Sequence, residues 1–463
     1  MSNTNFLSLN LNENLIQNIS LLGYIEMTPI QAQSLPDILR GQDVIGQGNT
    51  GSGKTAAFSL GLLNKLNVKS FRIQSLVLCP TRELAAQVAG EIRKLARTIH
   101  NIKVLSLCGG TPFGPQVGSL EHGAHIIVGT PGRVLDHLNK KTLNLDNLTT
   151  LVLDEADRML DMGFQPSLDA IVSQAPKKRQ TLLFSATYPD EIQKVSSRIM
   201  LNPVIVRVAS SEQRDTIKQH FYKIKDEPHR LLALRSLLVK YRPKSTIVFC
   251  ETKKETQNVS SQLVSFGFSA VALHGDMEQK DRDQTLIRFT NESASILVAT
   301  DVAARGLDIV ALAAVVNFRI ARDAEVHVHR VGRTGRAGSA GIAYTLFDEK
   351  EHHKVNILER YLDLVIIPEP LPLSTNTNED PLVSSMETLQ IDGGKKQKIR
   401  AGDVLGALTA ENGINSSQVG KIHIKDNWSF VAVSADVYKI ALHKLSTGKL
   451  KGRSFRVRLI RGL

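Results

Sequence analysis

Residues 48–55 read GNTGSGKT, a glycine-rich turn closed by Lys-Thr, with the apolar run DVIG before it and a helical stretch after it. No other feature restricts the fold as much. The glycines let consecutive backbone N–H groups curl around an anion, and the following helix points the positive end of its dipole at it. Such a turn joins a strand to a helix in a parallel sheet. It predicts an α/β domain in which Gly48, Asn49, Thr50, Gly51, Ser52 and Gly53 cradle nucleotide phosphates. Lys54 would reach the β and γ phosphates, and the Thr55 hydroxyl would hold Mg²⁺.

The surrounding sequence agrees. From Asp43 to Val208 short β-rich runs (DVIGQG, SLVLCP, KVLSLCGG, HIIVGT, TTLVLDEAD, RQTLLFSAT, PVIVRV) alternate with helical stretches. The alternation returns after Thr216 in STIVFCET, FSAVALHG, ASILVATD, LAAVVNF and AGIAYTLF. Continuous apolar runs separated by helices predict parallel sheets covered on both faces. The reading is therefore two α/β domains, 34–208 and 216–373, preceded by a region 1–33 and joined by a linker at 209–215. Asn12–Leu22 reads as a short helix stopped by Gly23. Pro368, Pro370, Pro372 and Pro381 bracket the polar STNTNED, which marks a second linker at 374–388. The last part, 389–463, runs strand, helix, strand pair, helix, strand, the split βαβ order of a small α+β RNA-recognition module.

Charge separates this tail from the rest. It carries 14 Lys and Arg against 5 Asp and Glu, so +9 of the chain's +12 lies there. A compact basic segment that alternates apolar and polar residues and holds the single tryptophan, Trp428, points to a polyanion such as RNA. No apolar run approaches the ~18 residues of a membrane span. The N-terminus lacks a basic, apolar leader, and Cys79, Cys108 and Cys250 are too few and too scattered for a disulfide framework. These features fit buried thiols in a cytoplasmic protein with no membrane partner.

Two further patterns bear on chemistry. In LVLDEAD (Leu151–Asp157) an apolar run ends in carboxylates where ligands gather in an open parallel sheet. Asp154 would hold Mg²⁺ through water, and Glu155 would orient or deprotonate the attacking water. Together with the phosphate turn this implies phosphoryl transfer from a nucleoside triphosphate to water. In VHVHRVGRTGRAG (Val326–Gly338), Arg330, Arg333 and Arg336 recur every third residue. They could converge on one cleft and supply an arginine to the γ-phosphate, or form a plainer phosphate loop or a solvated basic surface.

In order along residues 1–388, these and other motifs resemble the DEAD-box RNA helicase family. The resemblance implies two tandem RecA-like parallel-sheet domains and an RNA-dependent ATPase that uses ATP and Mg²⁺ to open short duplexes. Phe6 and GYIEMTPIQ (Gly23–Gln31) are similar to the adenine-reading motif, with Tyr24 near the base and Gln31 on its edge. PTRELA with Pro80, Thr81 and Arg82, Gly109–Gly110, and TPGR (Thr130, Pro131, Gly132, Arg133) resemble first-domain RNA motifs. Thr252, Gln279, Arg282 and Thr300 resemble those of the second. SAT (Ser185, Ala186, Thr187) with Asp157 and His329 would couple hydrolysis to strand opening. Asp308 would touch nucleotide, and Arg333 and Arg336 take the arginine-finger role. The tail resembles the RNA-binding domain of the DbpA subfamily, an RNA-recognition-motif variant. This implies a 23S ribosomal RNA hairpin in pre-50S particles as partner, contacted through Lys395, Lys396, Trp428 and Arg453, and a monomer working in large-subunit assembly. DNWSFVAV (Asp426–Val433) aligns with an aromatic stacking strand, so Trp428 and Phe430 either stack on bases or fill the core. An ATP-gated RNA clamp with incidental unwinding and a DNA helicase remain the competing readings.

Overall fold

The computed structural model describes residues 4–48, 51–208, 217–304, 312–335, 341–372, 380–410 and 413–460. Asn49, Thr50, Asp308, Arg336 and the 209–215 linker lie outside the described residues, as does 374–379 of the second linker. The chain divides into two compact units, the first ending at Glu212 and the second holding most of the remainder.

The first unit contains strands β1 (Val44–Gln47), β2 (Ser75–Leu78), β3 (Val104–Leu107), β4 (Ile126–Gly129), β5 (Thr150–Asp154), β6 (Gln180–Ser185) and β7 (Val204–Arg207). They form one sheet in the order β3-β4-β2-β5-β6-β1-β7. All its pairings are parallel. Strands β2, β4, β5 and β6 are buried along their whole length. Neighbouring residues leave opposite faces: Val77 and Val152 join Phe58 and Phe184 in one core, while Leu76 and Leu151 join Met159 in the other. This two-faced burial explains the unbroken apolar runs. The predicted N-terminal helix forms at Glu13–Leu21, with the Asn12 side chain accepting from Leu15 N–H at 3.1 Å.

The second unit repeats the plan with β8 (Ile217–Lys223), β9 (Thr246–Cys250), β10 (Ala270–Leu273), β11 (Ile296–Thr300), β12 (Ala314–Asn317) and β13 (Gly341–Phe347). Their order is β10-β11-β9-β12-β13-β8, again parallel. β8 (IKQHFYK) escaped the sequence reading because only Phe221 and Tyr222 of it are fully buried. Within the same unit, β14 (Met386–Ile391), β15 (Val419–Ile424), β16 (Ser429–Ser434) and β17 (Val457–Leu459) form an antiparallel sheet ordered β15-β16-β14-β17. Helices Ala401–Thr409 and Tyr438–Thr447 cover one face, burying Leu389, Ile391, Val431 and Val433 with Val404, Leu408 and Ala441. β14 begins three residues before the expected boundary, and Thr388, placed in the linker by sequence, is fully buried in it.

Candidate nucleotide site and RNA interface

The sheet order of the first unit sorts the site residues by task. β1, β5 and β6 are neighbours, and their carboxyl ends carry the phosphate turn, the carboxylates and Ser185. β3, β4 and β2 make the other half and carry Gly110, Thr130–Arg133 and Pro80–Arg82. Parallel strands deliver every loop of this set to one edge of the sheet.

In the nucleotide half, Gly51 and Gly53 adopt left-handed backbone, φ +87° and +97°. A Cβ on Gly53 would stand 2.5 Å from Gln31 Nε2 and 2.7 Å from Thr28 Oγ1, so this position admits no larger residue without displacement. Gln31 lies on the helix Pro29–Arg40; its Oε1 accepts from Thr28 N–H at 2.9 Å, and its Nε2 donates to Gly53 O at 3.1 Å. The expected base-reading glutamine thus also braces the phosphate turn. Tyr24 donates its hydroxyl to Glu91 at 2.7 Å and sets its ring edge-on to Phe6, which holds both aromatics beside that helix's N-terminus. Lys54 opens the helix Lys54–Lys65, is buried, and donates to Gly48 O. Burial pushes its ammonium pKa down, while the charges of Asp154, Glu155 and Asp157 oppose that shift. Thr55 follows it on the same helix.

Asp154 ends β5, and Glu155 follows in left-handed backbone at φ 52°, a conformation costly for a non-glycine residue. Burial, then the neighbouring Glu155 charge, push Asp154 up to about 7. Two adjacent buried carboxylates with one lysine favour a further cation, and oxygen donors of this kind suit Mg²⁺. Ser52 Oγ and Ser185 Oγ are buried and lack hydrogen-bond partners among the described residues, while Glu155 Oε2 and Arg158 Nη1 face each other as an ion pair. Orphaned polar atoms around a glycine cradle fit a triphosphate and its metal. Asp157 does different work: its Oδ2 accepts from Ala186 N–H at 3.2 Å, Thr187 N–H at 3.1 Å and Thr187 Oγ1 at 3.0 Å. The DEAD and SAT segments are therefore physically joined through one carboxylate. Arg158, absent from the sequence reading, lies 3.4 Å from Glu155; its i,i+3 spacing was the available signal.

In the other half, the Arg82 guanidinium lies over Gly110, where a Cβ would come within 1.6 Å of Nη1. Thr81 caps the helix Arg82–Leu95, accepting from Leu84 N–H at 3.2 Å. Pro131 opens the helix Pro131–Asn139, and Arg133 from its first turn donates to Thr111 O at 3.0 Å and Gln116 Oε1 at 3.1 Å. Pro80–Arg82, Gly110 and Thr130–Arg133 thus form one patch.

In the second unit, Thr252 caps the helix Lys253–Ser265 after β9, and Thr300 ends the adjacent β11. Gln279 and Arg282 open the helix Gln279–Thr290, with Arg282 donating to His274 O at 3.3 Å. His329 lies in the last turn of Ala324–Val331, and Arg333 just beyond it is 4 % exposed. Arg330 corrects one alternative. It is turned inward, with Nε 2.6 Å and Nη2 2.7 Å from the Asp301 carboxylate and Nη1 2.8 Å from Arg319 O, so it anchors the loop and does not join a convergent arginine set.

At one end of the antiparallel module three loops meet. Lys395 N–H donates to Lys425 O at 2.9 Å, Lys396 N–H to Asp426 O at 3.0 Å, and Ile391 pairs with both Ser429 and Val457. Lys395, Lys396, Lys398, Arg400, Lys425, Trp428, Lys451, Arg453 and Arg456 are all exposed there. All four tail residues expected to touch RNA lie in this cluster. Phe430 does not: it is 3 % exposed and packs on Ile287 and Ile460, which resolves that aromatic as a packing residue.

Comparison with known proteins agrees with this division. Residues 28–195 match the family described as DEAD/DEAH box helicase, 229–338 the helicase conserved C-terminal domain, and 388–459 the DbpA RNA binding domain. The chain is 51 % identical over 446 residues to the ATP-dependent RNA helicase DbpA of Escherichia coli, covering 96 % of this chain and 97 % of that one. It is 44 % identical to the DEAD-box ATP-dependent RNA helicase CshA of Bacillus cereus over 77 % of this chain and 68 % of that one. The solved structure of S. cerevisiae Dbp5 bound to RNA and ADP BeF3 aligns with a TM-score of 0.72 at 30 % identity, covering 80 % of this chain and 96 % of that one. Phosphate turn, carboxylate pair, RNA-motif loops and tail module together place the chain in the DEAD-box family of ATP-dependent RNA helicases, among members carrying the DbpA RNA-binding domain.

Proposed function

We propose that this helicase acts on 23S ribosomal RNA during large-subunit assembly in the cytoplasm, as a monomer, with the C-terminal module holding a hairpin while the two parallel-sheet domains open a nearby duplex. The observation that carries the reading is the basic loop cluster at one end of the module, with Trp428 among its cations. Nine exposed residues of this kind on one small surface favour a folded RNA, which offers phosphates and an unstacked base together.

Within the first domain, Lys54 would bind the terminal phosphates, Thr55 and Asp154 would hold Mg²⁺, and Glu155 would take the proton of the attacking water. A bound Mg²⁺ would offset charge on the β and γ oxygens. Gln31 and Tyr24 position the base. By the family resemblance, Arg333 and Arg336 would act on the γ-phosphate and Asp308 on the nucleotide. Asp157, through Ser185–Thr187, passes the state of the carboxylate strand to the loop that follows β6.

The test is ATPase stimulation by a panel of RNAs that includes a 23S fragment, with equal lengths of DNA. Strong stimulation by the 23S fragment over unrelated RNA supports the assignment. Equal stimulation by all RNAs removes the ribosomal target, and stimulation by DNA alone removes RNA. Lys54→Ala should abolish hydrolysis and leave RNA binding by the module in place.

A further inference from the structure

Strand β12 ends at Asn317, and the two residues after it are held by arginines from two other elements. Arg230, fully buried on the helix Glu227–Tyr241, donates Nη1 to Phe318 O at 2.7 Å and to Leu346 O at 3.2 Å. Its charge is met by Asp348 and Glu351, whose carboxylates lie 3.1 Å and 2.7 Å from Nη2. From the other side Arg330 donates Nη1 to Arg319 O at 2.8 Å. The main chain at Arg319 is thus fixed, and its side chain leaves from a set position. The guanidinium then forks between two carboxylates. Nε donates to Glu255 Oε1 at 2.6 Å, and Nη2 lies 2.7 Å from Glu227 Oε1. Glu255 lies on the helix Lys253–Ser265 and uses its second oxygen, Oε2, to accept from Glu251 N–H at 2.8 Å. Its own N–H donates to Thr252 Oγ1 at 3.1 Å. The Arg319 side chain is 22 % exposed and that of Glu255 15 %, a drier setting than that of an ordinary surface ion pair.

We propose that Arg319 is a positioning residue that ties the loop carrying Arg330 and Arg333 to the loop after β9. The contacts run in series. Arg333, expected at the γ-phosphate, shares a turn with Arg330, its N–H donating to Arg330 O at 3.1 Å. Arg330 grips the Asp301 carboxylate, and Asp301 follows Thr300 at the end of β11. Arg330 also grips Arg319 by its carbonyl, and Arg319 grips Glu255, which fixes Glu251 and Thr252. A shift of Arg330 therefore reaches Thr300 through Asp301, and reaches Thr252 through Arg319. These two threonines are the ones expected to meet RNA. Two features support the role. Buried guanidiniums spend donors on the carbonyls of both Phe318 and Arg319, which makes this short segment a stiff lever. And Glu255 Oε2 is committed to Glu251 N–H, the first residue past β9, so the carboxylate that Arg319 holds is the one that shapes the loop. A fork reaching two acids at once suits arginine, where a lysine would supply a single point charge. The RNA half of the proposal rests on the reading of Thr252 and Thr300 given above; the link between the two loops does not.

The experiment is a charge-swap cycle in the full chain, read by ATPase at rising concentrations of a single-stranded RNA that lacks a hairpin. Arg319→Glu sets its new carboxylate against Glu227 and Glu255. It should raise the RNA concentration for half-maximal ATPase about fivefold or more, and raise the half-saturating ATP concentration at saturating RNA as well. Glu255→Arg alone should do the same. The two together restore an opposite pair and should return both values to within about twofold of the parent. Arg319→Gln, which removes charge without adding repulsion, should shift both values less and in the same direction, and it carries the test if Arg319→Glu does not fold. Melting temperatures are taken on every variant. A variant that melts lower but needs no more RNA or ATP makes the pair structural only and overturns the proposal. So does a swap that recovers melting but not the RNA and ATP requirements, and so does an Arg319→Glu protein that matches the parent throughout. Arg282→Ala tests the RNA reading by itself, because it alters an expected contact on the same edge. An unmoved RNA requirement there refutes RNA on this edge, while the ATP values of the swap cycle still decide whether the two loops are linked.

Discussion

Asp157→Asn strikes the junction between the carboxylate strand and the loop after β6. In the native protein Asp157 Oδ2 receives three hydrogen bonds, from Ala186 N–H, Thr187 N–H and the Thr187 hydroxyl, and Oδ1 receives one from Arg158 N–H. The residue is 6 % exposed, so solvent does little to dilute these interactions. Bonds to a charged acceptor contribute about 1.5–3 kcal/mol each and neutral ones about 0.5–1.5. Asparagine keeps one oxygen. If that oxygen faces Ala186 and Thr187, its amide nitrogen confronts Arg158 N–H, two donors together. Three weakened bonds and one lost bond amount to about 3 kcal/mol after relaxation. For a domain of this size that lowers the melting transition by about 6–12 °C. The assay is thermal unfolding of the full chain, paired with strands separated per ATP hydrolysed. Thr187→Val, which removes only the hydroxyl donor, should melt within a few degrees of the parent by the same scale, yet also open fewer strands per ATP. If Asp157→Asn melted within about 1 °C of the parent and unwound as efficiently, the carboxylate would not be the coupling link.

Three other outcomes are expected. Gly53→Ala forces a side chain into left-handed backbone and against Gln31 and Thr28; about 1–2 kcal/mol of strain plus the displaced brace should weaken ATP binding tenfold or more, read by nucleotide titration. His327 is held near a pKa of about 3 by burial and then by Arg330, with Nε2 against Gln219 Oε1. Its folded pKa lies below the unfolded value, so it stabilises the fold fully above about pH 6.5 and progressively less as pH falls toward 3. The loss approaches about 2 kcal/mol by pH 5, and His327→Gln should flatten that slope in denaturant titrations. Truncation after Ser385 should keep a basal RNA-stimulated ATPase, lose preference among RNAs, and lose the steep salt dependence of RNA binding that the tail's charge confers.

How much of this was legible depended on whether a residue's role was local. Gly51, Gly53 and Lys54 act within a single turn whose glycines and lysine state its geometry, so the strand, turn and helix followed from spacing alone. The two-faced burial of β2, β5 and β9 likewise writes itself as unbroken apolar runs. β8 was invisible for the opposite reason: most of its side chains are partly or fully exposed, so its sequence resembles polar loop as much as strand. Arg330 shows a second limit. Its spacing from Arg333 matched a convergent set, and only the position of Asp301, 29 residues earlier, turns it inward. Phe430 shows a third. Its alignment with an aromatic stacking strand left stacking and packing both open, and the choice between them depends on Ile287, more than a hundred residues away.

That third limit bears on how the two halves of the protein divide their work. The chemical half uses parallel strands, which send every loop to one edge; placing Gly48, Asp154 and Ser185 side by side requires only the order of β1, β5 and β6. The addressing half is an antiparallel sheet, whose loops go to both ends and whose second face must be hidden or used. Hiding it against the helix that opens with Gln279 and Arg282 leaves the cationic loop end exposed. A charge reversal at Lys395 and Arg453 should therefore weaken binding of structured RNA roughly tenfold or more at low salt while leaving unfolding of the module unchanged, because both side chains are exposed and neither packs in its core. Equal losses from Thr388→Ala, a site buried at the junction, would mean that RNA reads the sheet face after all.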